Sequence, residues 1–85
     1  MKIRRVVGMS MYPTLQHGQI VLAAKKSYRS GDVVIARQDS REVIKRIYQK
    51  DSTISLVGDN PSSAKYENVS KSDIVGVVIW PKIKI

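Results

Sequence analysis

Cysteine is absent from the 85 residues, which excludes a disulfide framework and any thiolate metal site and leaves the redox compartment open. Phenylalanine is also missing, tryptophan occurs once, and His17 is the sole histidine. A Ser-His-Asp arrangement could run only through His17, which lies in a polar Gln-His-Gly-Gln turn and reads as solvent-facing. Acidic residues are scarce, seven against fifteen lysines and arginines, for a net charge of +8. They are scattered, without the paired spacing that a metal site or a glycosidase pair needs, so chemistry with no metal and no cofactor is expected. No stretch approaches the roughly 20 apolar residues of a membrane span. Met-Lys-Ile-Arg-Arg, ahead of the first apolar run, is too short for a secretory signal.

What is present reads as mostly β. Apolar, β-branched runs fall near residues 19–24, 32–36, 42–48, 53–57 and 74–80. Turn signals separate them at His17-Gly18, Ser30-Gly31-Asp32, Asp39-Ser40, Lys50-Asp51-Ser52 and Gly58 to Ser63. A strand about every ten residues suits a small antiparallel sheet or partly open barrel. No long amphipathic helix is expected; Thr14 to His17 is a candidate for one short turn. Residues 1–85 form a single domain whose core is small enough that every strand counts. Residues 61–72 make one long loop within it.

Two segments stand out chemically. Gly8-Met9-Ser10-Met11-Tyr12-Pro13-Thr14-Leu15 places a serine in a sharp Gly/Pro-bounded turn, and Val43-Ile44-Lys45-Arg46-Ile47 places a lysine on a strand. Residues two apart on a strand share a face, so Val43, Lys45 and Ile47 point one way and Ile44, Arg46 and Tyr48 the other. Lys45 thus sits between β-branched neighbours on a face that reads as core. Most strand lysines are solvated or snorkel to water, and most turn serines bond only the local backbone. Burial, however, lowers a lysine pKa towards about 7–8, where the amine serves as a base. Ser10 with Lys45 therefore forms a candidate nucleophile–base pair.

These segments resemble conserved boxes of the signal peptidase I / LexA-like clan of serine–lysine peptidases. Gly8 to Leu15 is similar to its nucleophile box, Gly31-Asp32-Val33-Val34-Ile35-Ala36 to its second box, and Val43 to Ile47 to its lysine box. Leu56-Val57-Gly58-Asp59-Asn60-Pro61 resembles its Gly-Asp-Asn box, and Ile74-Val75-Gly76-Val77-Val78 its closing strand. The resemblance implies Ser10 as nucleophile, Lys45 as general base, and the backbone N–H groups of Met9 and Ser10 as oxyanion donors. Gly8, Met11, Pro13, Arg46, Gly58, Asp59 and Asn60 would support them. Glycine at position 8 follows the LexA-type arrangement, in which the oxyanion hole is wholly backbone. In size the chain is similar to small soluble maturation peptidases such as those associated with nickel-type superoxide dismutase. It reads as a minimal peptidase core, either natural or cut from a longer protein.

One departure bears on the lysine. The signal peptidase pattern continues beyond Gly-Asp-Asn through a serine to an acidic residue and an arginine; here the run is Pro61-Ser62-Ser63-Ala64-Lys65-Tyr66-Glu67-Asn68. Ser63 is the candidate hydroxyl for orienting the lysine amine, with a plain loop role as its alternative. The implied function is cleavage of an extended peptide, signal-peptide-like or the N-terminal propeptide of a partner. A catalytically silent relative that binds peptides or proteins is the alternative, and a basic nucleic-acid-binding barrel a further one.

The positive charge bears on partners. Lys2, Arg4 and Arg5, Lys25, Lys26 and Arg29, and Lys65 with Lys71 would favour acidic substrates or anionic surfaces. No motif with interleaved aromatics calls for a dedicated nucleic-acid site. Ile79-Trp80-Pro81-Lys82-Ile83-Lys84-Ile85 mixes tryptophan, isoleucine and lysine, as segments that graze a membrane interface do. The favoured reading is a last strand whose Trp80 packs on the core, with peripheral contact to an anionic membrane as the alternative. Localisation is accordingly cytoplasmic or peripheral at a membrane.

Overall fold

In the computed structural model, which describes residues 1–84, six strands form one antiparallel sheet that is not closed into a barrel. They are β1 (Lys2–Arg5), β2 (Ile20–Ala24), β3 (Val33–Gln38), β4 (Arg41–Lys50), β5 (Thr53–Val57) and β6 (Ile74–Trp80). The spatial order is β1-β2-β6-β3-β4-β5, with β6 inserted between β2 and β3. A single 3-10 turn, Lys71–Asp73, precedes β6, and the described residues contain no α-helix.

The β-branched runs give five of these strands within a few residues of the expected bounds. β1 was not expected, because Lys2-Ile3-Arg4-Arg5 offers one apolar residue among three cations. Tertiary pairing decides it, with Ile3 opposite Leu22 and Arg5 opposite Ile20 on β2. Tight hairpins join β3 to β4 and β4 to β5. In the first, Asp39 and Ser40 both adopt positive φ (53° and 64°), the conformation whose twist matches the flanking strands.

Apolar side chains pack on both faces of the sheet. One cluster joins Val34, Ala36, Ile47, Ile54, Leu56, Val69 and Val77; the other joins Val6, Met11, Leu15, Val21 and Val33. The alternation expected in β4 holds: Ile47 and Val43 belong to the first cluster and Ile44 packs against the second. Trp80 departs from expectation. It ends β6 but is 54% exposed, because its partner Leu22 belongs to the outward set of β2, between the buried Val21 and Ala23.

Length sets up the site. β4 has ten residues, of which Arg41 to Arg46 pair with β3 and Arg46 to Lys50 pair with β5. β5 stops at Val57, so Arg41 to Lys45 keep one edge without a strand neighbour among the described residues. A sheet edge of this kind presents N–H and C=O groups ready for another strand.

Candidate active site

A cleft of about 520 Å³ opens along that half-edge. One wall is Arg4 to Met11 and the other Arg41 to Lys45, with Ser63, Ala64 and Tyr66 closing it. Ser10 and Lys45 both line it, although they lie on segments 35 positions apart. The Arg4 guanidinium donates to both carboxylate oxygens of Glu42 (2.6 and 3.2 Å) and ties β1 to β4, which are not neighbours in the sheet.

Lys45 is 4% exposed, the only buried charged residue among those described. It lies opposite Val34, on the face of the first apolar cluster. Its Nζ donates to the Ala64 carbonyl at 2.8 Å and lies 5.8 Å from the Tyr66 ring centroid. Burial, with a smaller push from the Arg41 charge, lowers its pKa from the ordinary lysine value. Of the two roles open to Ser63, the loop role is the one seen: its Oγ donates to the Asn60 carbonyl at 2.8 Å, and the Lys45 amine bonds elsewhere. Ala64 and Tyr66 carry no sequence signal for their positions, since a main-chain carbonyl is available at any residue type. Tyr66 is fixed by two backbone bonds to Leu56 (2.8 and 2.9 Å), which bring its segment back over β5.

The Ser10 segment is a compact turn, closed by Tyr12 N–H to Met9 C=O (3.1 Å) and Leu15 N–H to Met11 C=O (2.9 Å). The turn therefore spans Ser10 to Leu15, ahead of the expected Thr14 to His17. Met11 and Leu15 anchor it in the second apolar cluster, and the Tyr12–Pro13 bond within it is cis. Gly8 enters with φ of 88°, a region that an L side chain rarely adopts. Its N–H donates to His17 Nδ1 at 2.8 Å, so the exposed His17 props the loop besides facing solvent. The N–H groups of Met9 and Ser10 donate to no backbone carbonyl of the described residues.

The Gly58-Asp59-Asn60 segment holds this turn in place. Asn60 donates twice, from its backbone N–H to the Ser10 carbonyl and from Nδ2 to the Met9 carbonyl, each at 2.9 Å. A Cβ on Gly58 would overlap the Ser10 carbonyl oxygen and Ser63 Oγ, which is why glycine sits there. Asp59 takes Arg46 in a two-pronged pair (2.9 and 2.7 Å) and accepts from Thr14 Oγ1. The Arg46 hydrogen bonds outweigh desolvation and keep the Asp59 carboxyl below its ordinary range. Arg46 also donates to the carbonyls of Gly31 (2.6 Å) and Lys84 (2.9 Å), tying β4 to the turn before β3 and to the C-terminal segment. Lys45 and Arg46 thus face opposite ways, one into the cleft and one into the brace.

An open antiparallel sheet bearing a buried lysine and a serine turn along one cleft has the layout of a peptidase-type domain. The family model described as Peptidase S24-like matches residues 2–79, and the chain belongs to that family. No curated protein matches the chain.

Proposed function

We propose that the chain is a serine endopeptidase in which Ser10 is the nucleophile and Lys45 the general base. The observation that carries this reading is that Ser10 and the desolvated Lys45 line one cleft beside an unpaired half-strand. An extended peptide would add to the Arg41–Lys45 edge through main-chain hydrogen bonds, which brings its carbonyls past Ser10. A neutral amine has two N–H donors and one lone pair. The Ala64 carbonyl occupies one donor, which leaves the lone pair to accept the Ser10 hydroxyl proton.

Ser10 Oγ then attacks the scissile carbonyl as its proton passes to Lys45 Nζ. The resulting oxyanion accepts from the N–H groups of Met9 and Ser10, donors whose loss typically costs about 10²–10³ in rate. Collapse breaks the C–N bond, Lys45 returns the proton to the leaving amine, and the acyl group stays on Ser10 as an ester. Water, deprotonated by Lys45, releases it. Small residues such as alanine before the cut are expected by analogy with the clan.

A silent, peptide-binding relative is the second reading. It is favoured by the Lys45 hydrogen bond, which goes to Ala64 and not to Ser10. Digestion of a diverse peptide library at pH 7 to 9, read by mass spectrometry, separates the two. Cuts made by the wild type and lost in both Ser10→Ala and Lys45→Met establish the peptidase. No cuts from folded wild type, with peptides still bound, establish the binding module.

A further inference from the structure

A second group of exposed apolar residues lies on the outward face of β1, β2 and β6. Ile3 pairs with Leu22, and Leu22 pairs with Trp80, so the three side chains form a row across β1, β2 and β6 on one face of the sheet. The row faces outward: Ile3 is 64% exposed and Trp80 54%, while Val21 and Ala23, flanking Leu22 on β2, are fully buried on the other side. Ile79, the extra residue of the bulge between β2 and β6, is exposed beside it. Lysines stand at both ends. Lys25 and Lys26 follow β2 directly; Lys82 and Lys84 follow Trp80, exposed, in alternation with half-buried Pro81 and Ile83.

We infer that the Ile3–Leu22–Trp80 row is a docking surface for an anionic lipid bilayer. A row of branched aliphatic side chains ended by an indole buries into the headgroup boundary, where tryptophan gains an apolar contact and keeps its N–H wet. The flanking lysines add attraction to anionic headgroups that falls off within a Debye length. Charge selects this occupant over a second copy of the chain, because two surfaces of molecules each carrying +8 repel. Nucleic acid is disfavoured by the row itself, whose aliphatic members offer no ring for a base to stack on. This docking stands independently of the Ser10 chemistry.

Trp80 is the only tryptophan, so its emission reports on the row directly. The full chain is titrated with phosphatidylglycerol/phosphatidylcholine vesicles, with phosphatidylcholine vesicles, and with brominated versions of the anionic mixture. Expected are a blue shift and bromine quenching with the anionic vesicles alone, reversed by high salt. Ile3→Ser, at an exposed position and checked for fold by circular dichroism, should weaken partitioning about tenfold. If that variant misfolds, bromine quenching of the wild type decides by itself. No shift on anionic vesicles overturns the inference, as does binding without quenching, which places the contact elsewhere. A shift that grows with protein concentration without vesicles, alongside a doubled mass in light scattering, also overturns it and assigns the row to self-association.

Discussion

Lys45 is costly to fold. A buried amine loses hydration that one hydrogen bond to Ala64 replaces only in part. Its folded pKa lies below the unfolded value, so the unfolded chain binds the extra proton and stability rises with pH between the lowered value and the ordinary 10.5. Lys45→Met keeps the stem and removes the charge, and thermal melts at neutral pH should show the variant about 2–8 °C more stable. Arg41 contributes a second, adjustable influence, since its positive charge also disfavours the ammonium. Arg41→Gln removes that charge, which raises the Lys45 pKa. In the proposed mechanism the neutral amine is the active form, so the rising limb of the kcat/KM profile should move to higher pH. An unmoved limb would detach Lys45 from the rate.

At the scale of elements, the site is a turn clamped by another turn. Asn60 holds the carbonyls of Met9 and Ser10, and Gly58 leaves room for the Ser10 carbonyl to press against it. Gly58→Ala should therefore cost about 1–3 kcal/mol in denaturant unfolding. In the proposed mechanism it should also reduce peptide cleavage by at least about 10²-fold, because a displacement near 1 Å is that expensive to an aligned nucleophile. The β-branched runs and the alternation at Lys45 made five strands and the facing of β4 legible from sequence. β1 was not, because its register is imposed by β2 and not by its own composition. The Ala64 carbonyl and the Gly8–His17 bond were equally invisible, since neither depends on a pattern of side-chain types. Trp80 misled for a related reason: a tryptophan in a last strand packs inward or outward according to register, which the sequence leaves open.

For the molecule as a whole, fifteen cations against seven anions in 85 residues means self-repulsion. The strongest ion pairs are spent on architecture, Arg4 with Glu42 across the cleft and Arg46 with Asp59 in the brace. Among the described residues the other positive charges have only the long, exposed Lys65–Glu67 contact (3.7 Å), so added salt should raise the melting temperature by screening them, by about the few degrees that 1 kcal/mol confers on a protein of this size. A flat or falling melting temperature between low and physiological salt would show that the surface charges do not strain the fold.

The uneven pairing of β4 has one more consequence. A half-strand left open for a guest accepts any chain of suitable backbone, including the same segment of a sister molecule. Proteins with such an open edge therefore live close to fibrillar stacking, and something must keep identical molecules apart. Here the open stretch begins at Arg41 and ends at Lys45, with Arg4 and Arg5 on the wall across from it. Matched against its own copy, that edge brings the exposed Arg41 and Arg5 of each molecule towards the same cations of the other. In the proposed function the cations around the cleft thus act as gatekeepers, admitting foreign peptides while turning the protein away from itself.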